Sequence, residues 1–178
     1  QLIISIIAGK SINTIRTGMG HNRIVRSMPN TPAQIGEGMT VWTATEQVTA
    51  EQKKWAAAIL GVMGVEIYVD DEKYLDMATA VSGSGPAYVF LFVESMTEAA
   101  IKLGFTPEVA QKLVMQTLLG AGHLLQKSGK TPQELRRMVT SPGGTTAEAI
   151  ATFEQGDFTG LVARAIKAAH EKAKKLGS

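Results

Sequence analysis

The segment "SGSGPAYVFLFVESMTEAAIKLG" (residues 82–104) predicts a helix that is apolar on all sides over its first half. Pro86 stands in the expected first turn of this helix, and Gly104 stands where the helix ends. A helix that is apolar all round has to be covered on all sides by other protein. The segment therefore indicates a helical domain with a large apolar surface to enclose.

Helices are also predicted on both sides of this segment. Thr106-Pro107 opens a helix with one apolar stripe, and residues 71–80 form a helix with acidic residues at its favourable N-terminal end. Later helices follow Thr131-Pro132 and the segment "TSPGGTTAEAI" (140–150), and a last one covers about residues 158–176. We therefore assign residues 71–178 to an all-α domain.

The first 70 residues have a different pattern, in which short apolar runs alternate with helical segments. The run Leu2 to Ile7 is typical of a strand buried on both faces. Ser11 is placed to cap one helix, and Thr49 with Gln52 forms a capping box for another. Further strands are predicted over residues 24–28, 39–45 and 65–70. Four strands with so few helices predict part of an open parallel α/β sheet, the rear portion of a nucleotide-binding domain over residues 1–70.

Composition argues against several classes of partner. The net charge is +2 and the basic residues do not interleave with aromatic ones, so we expect no binding to nucleic acid. The longest apolar run stops at Glu94, short of the roughly 18 residues that a membrane span needs. The chain has no cysteine, which fits a reducing cytoplasm, and its three histidines have neither a metal-binding nor a triad spacing. We therefore expect a cytoplasmic protein without a metal.

The start of the sequence indicates that a preceding segment belongs to the protein. It begins at Gln1 without an initiator methionine, and its apolar start lacks the basic leader of a signal peptide. The sequence also contains no G-x-G-x-x-G dinucleotide motif. The segment "GMGHNR" (18–23) follows a helix and lacks the third glycine, so it is not an effective substitute.

The segment at residues 140–150 has two interpretations. Gly143 and Gly144 permit a positive φ or the close approach of a ligand, and the following residues supply the free N–H groups of a helix N-terminus. These donors form either an ordinary Ser/Thr-capped helix or a site for an anion. Because no lysine or arginine lies inside the segment, a small carboxylate fits it better than a polyphosphate. The similar segment "SGSGPAY" (82–88) fits tight helix packing or the approach of a flat ligand.

Three segments, "SMPNTPAQIGEGMT" (27–40), "AVSGSGPAYVFLFVESM" (80–96) and "RRMVTSPGGTTAEAI" (136–150), resemble the pyrroline-5-carboxylate reductase family in sequence, order and spacing. The resemblance covers essentially the whole chain and favours the anion site. It implies an N-terminal Rossmann domain and a C-terminal helical dimerisation domain that interleaves with a second copy in a homodimer or higher homo-oligomer. The implied reaction, the last step of proline synthesis, is hydride transfer from NADPH or NADH to the C=N carbon of pyrroline-5-carboxylate.

The same resemblance implies roles for individual residues. Thr146 would be the catalytic residue, hydrogen-bonded to the ring nitrogen of the substrate, and Glu72 would face the positively charged iminium or the product ammonium. The cofactor ribose would lie near Met138, and the nicotinamide near the end of the first predicted strand. The implied substrate-binding residues are Glu72, Ser141, Gly143, Gly144, Thr145 and Thr146, and the implied cofactor-binding residues are Ile6, Ile7, Ala8, Asn30 and Met138.

The sequence departs from the family pattern in one respect. The first strand and the glycine-rich turn that would hold the cofactor pyrophosphate are not in it. Two hypotheses therefore stay open: the rear part of a working reductase, or a truncated dimerisation and substrate-binding module without catalysis. The choice between NADH and NADPH also stays open, because the segment that would read the ribose is missing.

Overall fold

A computed structural model describes residues 1–177 of the chain. Its strands form one four-stranded sheet in the order β1-β2-β3-β4, with bounds β1 Ile3–Ser5, β2 Ile24–Met28, β3 Gly38–Ala44 and β4 Gly64–Tyr68. The α-helices are α1 Ile12–Met19, α2 Ala50–Gly61, α3 Lys73–Ala78, α4 Gly85–Lys102, α5 Pro107–Ser128, α6 Pro132–Met138, α7 Thr145–Gln155 and α8 Phe158–Gly177. A 3₁₀-helix covers Thr31–Ile35 and a π-helix covers Thr79–Gly83. The predicted α/β portion followed by an all-α portion is confirmed.

The sheet is mixed, so the prediction of a parallel sheet is wrong for the pairing of β2 with β3. Strands β1 and β2 are parallel and so are β3 and β4, but β2 and β3 are antiparallel, with Val25 opposite Ala44. The short connection from Met28 to Gly38 contains only the 3₁₀-helix. Antiparallel strands can be joined by such a connection, whereas parallel strands need a longer crossover.

The core of the sheet lies between its central strands and α2. Val25, Trp42, Val48, Ala56 and Leu60 form one buried cluster there. The edge strand β1 is less covered: it is shorter than the predicted strand over residues 2–7, and the Ile6 and Ile7 side chains that follow it are exposed. The expectation that this run is buried on both faces is therefore wrong.

Local sequence signals set several helix ends. The Ser11 side chain accepts a hydrogen bond from the Thr14 amide, and Thr49 and Gln52 form both bonds of a capping box, as the sequence predicts. The helix predicted over residues 71–80 is shorter than expected. Its α-helical part is α3, and the chain then widens into the π-helix before α4 begins.

The chain forms two compact units, one of residues 1–87 with the chain from residue 163 onward, the other Tyr88–Val162. Helix α3 packs against β2 and β3 and so belongs to the first unit. This grouping differs from a division between residues 70 and 71. The division into a nucleotide-binding portion over residues 1–70 and a helical domain over residues 71–178 stays a prediction.

Helices α4 and α5 leave much of their apolar surface open. No residue of α4 is buried, and Phe90 and Leu91 are 58% and 64% exposed. On α5, only Ala110 and Val114 are buried. We use the term α4–α5 apolar side chains for the exposed residues Val89, Phe90, Leu91, Phe92, Val109, Leu113, Leu119, Leu124 and Leu125. Although α4 is apolar, none of the described helices has the length and apolarity needed to cross a membrane.

Candidate active site

The segment between α6 and α7 forms a tight turn before the N-terminus of α7. The Thr140 hydroxyl donates to the Arg136 carbonyl at 2.6 Å, which closes the end of α6. The Gly144 amide then donates to the Ser141 carbonyl at 3.0 Å, which reverses the chain, and α7 begins at Thr145. The turn therefore brings Thr140, Ser141, Gly143 and Gly144 directly before the start of α7.

Helix α7, like the short helix α3, lacks the side-chain N-cap that four other α-helices of the described chain have. Ser and Thr side chains cap α1, α2, α5 and α6, whereas the N-cap of α7 is Gly144 and no side chain bonds to it within residues 1–177. The amides of Ala147 and Glu148 donate to the Gly144 carbonyl, which leaves the amides of Thr145 and Thr146 as free donors of the first turn among the described residues. The interpretation of this segment as a Ser/Thr-capped helix is therefore wrong.

The two glycines of the turn serve different purposes. Gly143 has φ +69°, in the left-handed region that side-chain-bearing residues rarely adopt, and a Cβ built on it would meet no atom within 4 Å. Gly144 has φ −85°, which any residue adopts, but its Cβ would lie 2.6 Å from the Ser141 hydroxyl oxygen. Backbone shape therefore favours glycine at position 143, whereas a side chain at position 144 would displace the Ser141 hydroxyl.

The contacts of the segment at residues 82–88 agree with tight packing, the simpler of the two interpretations of this segment. A Cβ at Gly83 would lie 2.8 Å from the Met28 methyl group, so the absence of a side chain lets the two segments meet. Asn30 joins the same region: its side-chain amide donates to the Ser82 carbonyl at 3.1 Å, and its oxygen accepts from the Met39 amide at 2.8 Å. Asn30 thus has a structural function, and its contact with a cofactor stays a prediction.

Glu72 lies in a network of charges that the sequence did not predict. Its Oε1 accepts from the Arg26 guanidinium at 2.7 Å and from the Ile12 amide at 2.7 Å, and Asp76 accepts from the same guanidinium at 3.2 Å. The Arg26 side chain is only 5% exposed, so these carboxylates compensate a buried charge. The available signal was the single charged residue within the buried strand "IVRSM".

The remaining predicted site residues fall in two places. Ile6, Ile7 and Ala8 are exposed and directly follow the carboxyl end of β1. Met138 is the last residue of α6 and is exposed. Glu72, Asn30 and the residues after β1 lie in the first compact unit, whereas Met138 and residues 141–146 lie in the second. Every one of these binding roles stays a prediction.

A surface hollow lies away from the predicted cofactor edge. It is lined by residues 20–23 and Gln47, which include the residues leading into β2. Because β1 and β2 are parallel, this hollow lies at the amino ends of β1 and β2, where the antiparallel β3 ends, and Ile6 to Ala8 lie at the carboxyl end of β1. Ligands of open α/β sheets bind outside the carboxyl ends of the strands. Within residues 1–177, no group of acidic or histidine side chains could hold a metal ion.

Comparison with known proteins identifies the family. The family profile described as "Pyrroline-5-carboxylate reductase dimerisation" matches residues 72–176. The chain belongs to this reductase family. It is similar to the pyrroline-5-carboxylate reductases of Pseudomonas aeruginosa, at 45% identity over 99% of the chain and 65% of that protein, and of Arabidopsis thaliana, at 38% identity over 99% of the chain and 63% of that protein. It thus spans less than two thirds of the length of these relatives.

Solved structures agree with this result. The chain is similar to the Plasmodium falciparum pyrroline carboxylate reductase with NADP bound, with a TM-score of 0.93 and 38% identity over 100% of the chain and 68% of that chain. It is similar to the Coxiella burnetii pyrroline-5-carboxylate reductase with a TM-score of 0.93 and 42% identity over 99% of the chain and 66% of that chain. The resemblance found in the sequence is therefore confirmed.

Proposed function

We propose that the protein reduces 1-pyrroline-5-carboxylate to L-proline with NADPH or NADH. The single observation that carries this proposal is the uncapped N-terminus of α7 in a chain of this reductase family. An uncapped N-terminus with two free amides attracts an anion, and the substrate is a small carboxylate. The ring imine of that substrate is the group to be reduced.

The carboxylate is bound by the first turn of α7. The free amides of Thr145 and Thr146 donate to it, and the positive end of the helix dipole adds to the attraction. Each hydrogen bond to a charged group contributes about 1.5–3 kcal/mol. Ser141 and Gly144 shape the approach, since a side chain at position 144 would meet the Ser141 hydroxyl and displace it.

Thr146 orients the ring that the carboxylate anchors. It is the second residue of α7, so no helical carbonyl four residues earlier is present to accept from its hydroxyl. That hydroxyl hydrogen-bonds the ring nitrogen and fixes which face of the ring is presented. Hydride transfer to a protonated imine needs little proton transfer, so positioning and electrostatics supply most of the catalysis.

The bound cofactor supplies the hydride. The exposed apolar residues Ile6 and Ile7 with Ala8 fit a nicotinamide ring, and their backbone atoms would contact it. Residues 1–178 contain no G-x-G-x-x-G turn for the pyrophosphate, so the chain accounts for only the nicotinamide end of the site. The NADP bound to the Plasmodium falciparum relative supports this cofactor class.

The protein acts as a homodimer or higher homo-oligomer. The α4–α5 apolar side chains lack cover within the described chain, and the matched family is described by its dimerisation. A stable interface between permanent partners buries about 2,000 Å² or more, and a second copy of these helices offers a matching apolar surface. The absence of cysteine supports a cytoplasmic location.

An assay of turnover tests the proposal against the alternative of an inactive binding module. Oxidation of NADPH and NADH is followed with pyrroline-5-carboxylate, using the complete protein that the gene encodes and the chain of residues 1–178. Oxidation that depends on substrate in the complete protein supports the reductase. L-Proline binding by both forms, measured by calorimetry, without any oxidation by either would establish the binding module instead.

A further inference from the structure

The charge network around Arg26 connects three elements that are far apart in sequence. Arg26 is the central residue of β2, Glu72 immediately precedes α3, and Ile12 is the first residue of α1. One Glu72 oxygen accepts from both the Arg26 guanidinium and the Ile12 amide, each at 2.7 Å. Glu72 therefore serves as an anionic cap for α1 while it is oriented by a buried cation.

The Glu72 contact lies at the end of the segment that follows β1. At its beginning, the Ile7 amide donates to the Ser5 hydroxyl at 3.4 Å, and the Ser27 hydroxyl donates to the Ser5 carbonyl at 3.0 Å. At its other end, the amide of Ile12 is bound by Glu72. The segment from Ile6 to Ser11, in which Gly9 is buried and Ile6 to Ala8 are exposed, is thus fixed at both ends by polar contacts within the first compact unit.

We infer that Glu72, oriented by Arg26, is a positioning residue that holds the segment Ile6–Ser11 in the shape that receives the nicotinamide. This inference rests on the proposed function. It assigns Glu72 an effect on the cofactor instead of direct contact with the iminium or ammonium of the substrate. The reason is that both known partners of Glu72 are donors belonging to the protein.

Asp76 offers a matched control. Asp76 accepts from the same guanidinium at 3.2 Å, and its side chain is half-buried like that of Glu72. Among the described contacts of this network, the bond to α1 is made by Glu72 and not by Asp76. A substitution of Asp76 perturbs the buried charge and leaves the Glu72 contact with Ile12 in place. Any effect specific to Glu72 therefore reports on α1 and the segment before it.

The experiment uses the complete protein with the variants Glu72→Ala, Glu72→Gln and Asp76→Asn. The dissociation constant of NADPH is measured by fluorescence, and the KM of NADPH and of pyrroline-5-carboxylate by initial rates. Glu72→Ala should weaken NADPH binding about tenfold and raise its KM similarly, the size expected for loss of one charge-assisted hydrogen bond. The KM of the substrate should stay within about twofold. Glu72→Gln keeps an oxygen acceptor for the Ile12 amide and should restore part of the loss.

Several outcomes would overturn the inference. A raised KM for pyrroline-5-carboxylate with unchanged NADPH binding would mean that Glu72 contacts the substrate. Equal losses of NADPH affinity in Glu72→Gln and Asp76→Asn would mean that the network acts only through general stability. Circular dichroism establishes that each variant is folded. Wild-type protein without substrate-dependent oxidation would refute the proposed function itself, a result distinct from an active enzyme whose Glu72 variants bind NADPH normally.

Discussion

The substitution Gly144→Val separates binding by the first turn of α7 from stability of the turn. The backbone angles at Gly144, φ −85° and ψ 166°, are those of extended structure, so valine adopts them without strain. Its Cβ, however, would lie 2.6 Å from the Ser141 hydroxyl oxygen and 3.1 Å from the Ser141 carbonyl oxygen. Ser141 must move, and the valine methyl groups add bulk beside the free amides of Thr145 and Thr146. We therefore expect loss of carboxylate binding with little loss of stability.

The size of the expected effect follows from ligand linkage. A ligand present at about 100 times its dissociation constant stabilises the folded protein by about 2.7 kcal/mol. For a chain of this length, each kcal/mol raises the unfolding midpoint by about 2–4 °C. Saturating L-proline should therefore raise the midpoint of the parent protein by about 5–11 °C, a shift that calorimetry resolves easily.

The assay is differential scanning calorimetry of the parent, Gly144→Val and Gly143→Ala proteins, each with and without L-proline at one protein concentration. Gly144→Val should keep its ligand-free midpoint and lose the shift. Gly143→Ala forces a side chain into the left-handed region at φ +69°, so its ligand-free midpoint should fall, because such strain costs about 1–2 kcal/mol. An undiminished ligand shift in Gly144→Val would refute the carboxylate site and leave the glycine with a purely structural role.

Three further outcomes are expected. Thr146→Ala in the complete protein should lower kcat/KM by about 10- to 150-fold, since a hydrogen bond to a charged group contributes about 1.5–3 kcal/mol. The unfolding midpoint of this variant should change little. An unchanged kcat/KM would remove Thr146 from the mechanism. Leu91→Glu should convert a dimer into a monomer in light scattering, and a parent protein that is already monomeric at micromolar concentration would contradict the proposed interface. The Thr131 amide, and then its hydroxyl, lower the pKa of Glu134 by bonding to its carboxylate, so NMR titration should show that pKa rising in Thr131→Ala. The pKa of Glu134 is lower in the folded state than in the unfolded state. The capping box should therefore stabilise α6 fully at pH values above the ordinary glutamate pKa. This stabilisation should be lost as the pH falls through the lower, folded-state pKa.

The parts of the fold that depend on local chemistry could be predicted from the sequence. Ser11 and the Thr49–Gln52 pair act on amides within three residues, so their spacing alone defines the caps. The opening of α5 at Pro107 is of the same kind. The change from alternating strands and helices to helices alone also depends only on patterns along the chain.

Contacts between distant residues could not be predicted in the same way. Nothing in the sequence near Arg26 or Glu72 indicates that they meet across 46 positions, and the antiparallel pairing of β2 with β3 depends on how a connecting loop folds back. The candidate site was only half determined by sequence. Two threonines and a serine next to glycines fit a capped helix as well as an anion site. The placement of Gly144 at the N-cap excludes the side-chain cap, and the anion site stays a prediction.

The same limit explains why the sequence predicted that α4 is covered without showing by what. An apolar pattern on all sides of a helix indicates how much surface has to be buried, but not whether the covering protein belongs to the same chain. Burying a side chain such as Phe90 or Leu91 contributes about 1.5–3 kcal/mol to stability. In the described chain these two side chains remain more than half exposed, so their contribution is not realised by folding alone. We propose that a second copy, which presents the same exposed side chains, is the partner that recovers it; association would then be part of the stability of this domain.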